Sequence, residues 1–127
     1  GARAPPWLAE SGLETDERGF LLVDATLRSV SNPEVFAAGD CATVRGAGHP
    51  KSGLYSVRLG EVLADNFRRM LAEEPLRPFR AQPRGLVLLS CGNRYAIASR
   101  GGWTAEGRWV WRWKDWIDRR WVRSLAV

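Results

Sequence analysis

The sequence predicts an α+β chain, with short strands and one long helix followed by a C-terminal β-hairpin and an amphipathic helix. Three observations predict it. Two compact apolar runs, Phe20–Val23 and Val35–Ala38, are bounded by turn-forming residues, as strands are. Apolar residues then recur at roughly helical spacing from about Gly53 to Ala72. Last, Leu86–Ser90 and Tyr95–Ala98 flank a Gly92-Asn93 turn and precede a tryptophan-rich helix over Arg108–Leu125. The boundaries that follow are 1–74 for the first domain portion, 75–85 for a linker, and 86–127 for a hairpin-helix unit.

Taken in order, the opening Gly1-Ala2-Arg3-Ala4-Pro5-Pro6-Trp7-Leu8 sets a proline pair before an apolar pair and has no initiator methionine. It reads as the continuation of something earlier. Gly19 introduces the first strand, and Ser31-Asn32-Pro33 breaks the chain before the second. Thr43–Pro50 is a Gly-rich loop, and Ser52 is placed to N-cap the long helix. In that helix Leu54, Val57, Val62, Phe67 and Leu71 form the apolar face, widened by Leu59, Leu63 and Met70. Pro75 and Pro78 end it.

Composition narrows the function classes. At 127 residues, 45% hydrophobic and 26% charged, the chain can bury a core as an ordinary soluble domain does. No apolar run has the length of a transmembrane helix. Nineteen basic against 14 acidic residues give a net charge of +5, which invites a nucleic-acid or anionic-membrane reading. Much of that excess sits in Arg108, Arg112, Lys114, Arg119, Arg120 and Arg123, so it is a local feature. Cys41 and Cys91 stand far apart without metal-ligand spacing and read as two buried free thiols in a reducing compartment.

The chemistry concentrates at Gly39-Asp40, where an apolar run ends in a glycine followed at once by a carboxylate. Glycine lets a ligand approach the backbone, and ligands bind at strand carboxyl ends in open α/β sheets. The competing reading is that Asp40 merely caps a turn. Pro50-Lys51-Ser52-Gly53-Leu54-Tyr55 opens the long helix, and N–H groups there carry partial positive charge. Lys51 reads as a solvated lysine. The run Gly46–Ser52 imitates two phosphate loops and satisfies neither: proline precedes Lys51, and Lys51 stands where a dinucleotide fingerprint has its third glycine. His49, the single histidine, has no metal partner and reads as loop filler.

Six of the seven tryptophans lie between Trp103 and Trp121. On a helical wheel Trp109, Val110, Trp113, Trp116 and Ile117 share one broad face, with Trp121 at its edge and Arg112, Asp115, Arg119 and Arg123 opposite. Three readings stand: a core helix over the hairpin, an interfacial membrane helix, and a base-stacking surface. Asp115 and Asp118 weigh against the last.

Asn32-Pro33-Glu34-Val35-Phe36-Ala37-Ala38-Gly39-Asp40 resembles the second FAD-binding motif of flavoprotein pyridine nucleotide-disulfide oxidoreductases. Gly1-Ala2 before a Pro-rich turn, Ser11-Gly12-Leu13, the helix from Ser52, and Trp113–Arg119 come in the same order as in type II NADH dehydrogenase-like flavoproteins, including the kind fused to selenide,water dikinase. The resemblance implies the C-terminal part of a glutathione reductase-like FAD/NAD(P)-binding fold. It implies FAD as cofactor, NADH or NADPH as donor, and a quinone or other small acceptor. Asp40 would accept a hydrogen bond from the flavin ribityl chain. Gly39, Ser52, Gly53 and Leu54 would complete the cofactor contacts, the helix start facing the pyrimidine edge. The first Gly-x-Gly-x-x-Gly and the nicotinamide segment of that family are absent, so no turnover is expected of these 127 residues alone. Further expectations are a cytoplasmic protein, peripheral membrane contact through Arg108–Leu125, no nucleic-acid partner, and homodimerisation through an open sheet edge.

Overall fold

A computed structural model describes residues 2–48, 50–81 and 85–124. The chain divides into two compact units, Gly1–Ala81 and Gln82–Val127.

In the first unit the long helix α2, Gly53–Leu71, organises the core. Its buried side chains are Tyr55, Leu59, Val62 and Asn66, a spacing of four, three and four that keeps one stripe inward. The apolar face drawn from the sequence is therefore rotated. Leu71 is 82% exposed and Phe67 lies half out, packed edge-on against Phe36 with ring centroids 5.2 Å apart. The shift arises because a tyrosine and an asparagine, not only aliphatics, hold the inner stripe.

The chain opens with a short helix α1, Trp7–Glu10, and α2 shares its core with two three-residue strands, β1 (Leu21–Val23) and β2 (Ala42–Val44). The strands pair in parallel, Leu21 beside Ala42 and Val23 beside Val44. Leu21, Val23, Leu27, Ala42, Val44, Leu59 and Phe79 form one buried cluster. The expected strand Val35–Ala38 does not form a ladder; a single antiparallel bridge joins Phe36 to Arg28. Ala38 is extended, at φ −145° and ψ 162°, but no described strand lies alongside to accept the pairing that would make a ladder. The ladder falls instead on Ala42–Val44, within the stretch that reads as loop.

Residues 75–81, where the sequence suggests a linker, pack as part of this unit. Phe79 is buried, and its N–H donates to Ala25 O at 2.6 Å. Asn66, fully buried, fastens the segment: its Nδ2 donates to Thr26 O (2.8 Å) and Arg77 O (2.9 Å), while Oδ1 accepts from Arg77 N (2.7 Å). Residues 82–84 of the suggested linker lie outside the described residues, as do His49, Gly1 and the helix end at Leu125.

The second unit is a three-stranded antiparallel sheet, β3 (Val87–Ser90), β4 (Ala96–Arg100) and β5 (Trp103–Gly107), with helix α3 (Arg108–Ser124) on one face. The expected hairpin thus has a third strand. Trp103–Gly107 alternates weakly in hydrophobicity and gives no strand signal of its own, but its backbone completes the ladder along β4, Trp103 beside Arg100 and Gly107 beside Ala96. Ala96, Ala98 and Val110 are fully buried, flanked by Leu86, Leu88, Ala105, Trp111 and Trp113. The face of α3 drawn on the wheel splits accordingly. Val110 and Trp113 go to the sheet, while Trp109 and Trp116 stand 55% and 59% exposed, on the same side of the helix as Arg112, Arg119 and Arg123 rather than opposite them.

Both cysteines are exposed, against the expectation of buried thiols. Cys41 ends a surface turn and Cys91 precedes the hairpin turn, where no apolar layer covers them.

Candidate functional site

Gly39, Asp40 and Cys41 form a single 3-10 turn between the extended Ala38 and β2. The turn requires glycine at its first position, where φ is +77°, a left-handed value that costs other residues roughly 1–2 kcal/mol. The same Gly39 faces α2: a Cβ placed on it would sit 3.5 Å from Ser56 Oγ. Ser56 in turn is tied to Ser52, donating to Ser52 O from its N–H (2.9 Å) and its hydroxyl (3.2 Å). The fold thereby brings the Gly39-Asp40 turn and the Ser52–Leu54 helix start together, although twelve or more residues separate them in sequence.

Asp40 is exposed and makes no hydrogen bond or ion pair among the described residues. That separates it from its neighbours. Asp16 accepts from Arg18 N and Phe20 N, Asp24 from Thr26 N, and Asn32 from Glu34 N, each closing a local turn. Asp40 closes none, so turn capping does not account for it.

Ser52 stands at the N-cap position with extended backbone, at φ −154° and ψ 156°, but its hydroxyl makes no capping bond. The position is as expected and the side-chain role is not. Gly53 is exposed, with open space where its Cβ would be, and Leu54 is half-buried. No acidic residue lies in the first turn of α2, so the partial positive charge of the helix end is not offset from within.

Lys51 is not the solvated lysine the sequence suggests. Its ammonium donates to Ala42 O and to Thr43 Oγ1 (3.3 Å) and sits 3.9 Å from the centre of the buried Phe20 ring. Burial pushes its pKa below the ordinary lysine value, against the opposing pull of Asp16. Burial raises the Asp16 carboxyl, but hydrogen bonds from Thr43 Oγ1 (2.6 Å), Phe20 N and Arg18 N, with the charge of Lys51, outweigh it and hold Asp16 below its usual value. Lys51, Asp16, Arg18, Thr43, Ala42 and Pro50 help line a cavity of about 440 Å³. Sequence reasoning missed this cluster, because the pairing of residue 16 with residues 43 and 51 depends on the β1–β2 register. The one available signal was Lys51 itself, next to the helix start.

Among the described residues no group of three or more His, Cys, Asp or Glu side chains could hold a metal ion, and no helix is long and apolar enough to cross a membrane.

Residues 1–60 match the family model described as pyridine nucleotide-disulphide oxidoreductase. The likeness is to pyridine nucleotide-dependent oxidoreductases, and the matched stretch is just under half of the chain. It contains Gly39, Asp40, Lys51, Ser52, Gly53 and Leu54 and ends inside α2; the second unit lies beyond it.

Proposed function

From the oxidoreductase match over residues 1–60, we propose that the first unit supplies the ribityl and isoalloxazine side of an FAD site in an enzyme oxidising NADH or NADPH. By the order of its sequence motifs the chain resembles the type II NADH dehydrogenase-like flavoproteins, including the kind fused to selenide,water dikinase, and we carry that resemblance into the proposal. The observation that carries the reading is Asp40: an exposed carboxylate on a turn that only glycine accommodates without strain, with no hydrogen bond or ion pair among the described residues and only the longer-range charge of Lys51 acting on it.

The residues present fit the cofactor. An ionised carboxylate is acceptor-only and suits the hydroxyls of a ribityl chain. Gly39 leaves the backbone bare beside it, since any side chain there would be strained. The start of α2 presents N–H groups that no side-chain cap occupies at Ser52, and their partial positive charge favours an electron-rich ring edge. Lys51, held by Ala42 and Thr43, adds fixed positive charge to the same region. FAD, when bound, supplies transfer of a hydride equivalent from NAD(P)H and onward passage of electrons to a quinone or another small acceptor. Gly39, Asp40, Ser52, Gly53 and Leu54 bind and orient; none of them moves a proton in this reading.

The test uses the protein with its native flanking sequence. A visible flavin spectrum that bleaches on anaerobic NADH, and an Asp40→Ala variant that purifies with several-fold less flavin, are the expected results. A colourless protein that takes up no added FAD, or an Asp40→Ala variant with full flavin content, would overturn the assignment.

A second reading, peripheral membrane contact through α3, is favoured by one arrangement. At about 100° per residue, Arg108, Arg119, Arg112, Arg123, Trp116, Trp109 and Arg120 fall in one sector about 120° wide, with no carboxylate in it. Exposed tryptophan with arginine suits a headgroup layer of anionic lipid. Replacing Trp109 and Trp116 together by alanine is expected to reduce co-sedimentation with anionic vesicles severalfold; unchanged co-sedimentation would remove this reading.

A further inference from the structure

We propose that the second unit contains a phosphate-binding site formed by Arg94, Arg108 and Arg112 around Trp111. These four residues line a cavity of 150 Å³, about five waters' worth of liquid volume at ~30 Å³ each. The guanidinium of Arg94 lies 5.8 Å from the centre of the Trp111 ring, which fixes its direction. No acidic residue lines the cavity.

The charge there has no ion-pair offset among the described residues. None of the three arginines forms an ion pair among the described residues, whereas Lys114 and Arg119 on the same helix pair with Asp118 and Asp115. Glu106, on the adjacent strand β5, is near enough to the Tyr95 hydroxyl to add to the desolvation that raises its pKa above the ordinary tyrosine value, and is not among the lining residues. The first turn of α3, where Arg108 sits, contains no acidic residue either. A lysine cluster could relieve such crowding by losing a proton. Arginine cannot, because it stays charged at any pH a protein meets. All three arginines are exposed and screened by solvent, and a phosphate bridging them would gain charge-assisted hydrogen bonds that dissolved chloride does not offer. Planar guanidinium groups lining one space can match the oxygens of a phosphate through paired, charge-assisted hydrogen bonds.

The turn that presents Arg94 adds a cost. Asn93 and Arg94 both have positive φ, 47° and 55°, and Tyr95 N donates to Gly92 O at 2.8 Å. This is the pattern of a type I′ hairpin turn, in which glycine is favoured at the second central position. Arg94 occupies that position, so Arg94→Gly relieves the backbone while removing the guanidinium.

The shared ligand chemistry is a phosphate group, whether on a small soluble molecule or on a lipid headgroup. The experiment is calorimetric titration of the full chain with inorganic pyrophosphate at ionic strength held constant with chloride, beside flotation with phosphatidylcholine vesicles with and without phosphatidic acid. Saturable binding of pyrophosphate, weakened about tenfold or more by Arg94→Gly and by Arg108→Gln but not by Arg100→Gln, an exposed arginine of β4 outside the cavity, is expected for a soluble phosphate ligand. Capture by phosphatidic acid vesicles that is lost in Arg94→Gly, without pyrophosphate binding, assigns the site to a headgroup and equally supports it. Absence of both, or loss that is as large in Arg100→Gln as in Arg94→Gly, overturns the proposal. Because Arg94→Gly is expected to fold at least as stably as the parent, loss of binding in it cannot be ascribed to unfolding.

Discussion

Acidification acts on this protein through Asp16 before any active-site chemistry is considered. Its folded pKa lies below the ordinary value, so in that range the unfolded chain binds more protons than the folded one. The stabilising contribution is complete above the unfolded value and is lost as pH falls through the lowered folded value. Asp16→Asn should therefore flatten the dependence of the urea midpoint on pH between about pH 5 and about pH 2. An acid limb of unchanged slope would show that other carboxylates dominate. Lys51 has the opposite sense in charge and the same sense in slope: its lowered value makes stability rise as pH climbs toward the ordinary lysine range. At this scale, legibility was uneven. Asp40 could be read because its neighbours in sequence carry its motif. Asp16 and Lys51 could not, since each acquires its role from partners brought in by β2. Leu27 was hidden for another reason. It is fully buried yet has a φ of 70°, and nothing in Thr26-Leu27-Arg28 announces a left-handed leucine. Burying a leucine gains roughly 1.5–3 kcal/mol and the left-handed backbone costs roughly 1–2, so the side chain decides the conformation.

At the scale of elements, α2 is secured from its inner stripe by a carboxamide as well as by apolar packing. Asn66→Ala would leave Thr26 O, Arg77 O and Arg77 N without their partners, at an expected cost of about 3 kcal/mol in chemical denaturation. Asn66→Asp should cost more, because a buried carboxylate would face two carbonyl oxygens. If either variant were as stable as the parent, the clamp would be incidental. The helix was legible in the sequence to within a residue at each end, whereas its orientation was not: hydrophobicity alone ranks Phe67 and Leu71 above Asn66, and tertiary hydrogen bonding reverses that order. The strands show the same limit. Leu21–Val23 and the β3–β4 hairpin could be read from apolar runs and a Gly-Asn turn. The run Val35–Ala38 is as apolar as these, but a strand is defined by its neighbours, and its hydrogen bonds run to residues 27–29 at one bridge only. β5 was invisible because Trp103-Thr104-Ala105-Glu106-Gly107 owes its state to the exposed edge of β4.

Over the whole chain, the mixed α and β composition and the order of elements could be read from the sequence, while the extent of the first unit depended on Phe79 and Asn66, which lie on either side of two prolines. The division also sorts the aromatic residues. Trp103, Trp109, Trp111, Trp113, Trp116 and Trp121 all belong to the second unit. The first has only Trp7, already 61% exposed in the folded state. Intrinsic fluorescence is therefore an optical reporter of one unit. Its emission will follow the indoles that leave the sheet with α3 and will scarcely register loss of the core around α2. A melt recorded by that signal alone would score an Asn66 variant as undamaged, and only an amide-based signal such as far-ultraviolet circular dichroism, to which α2 contributes nineteen residues, would reveal the change.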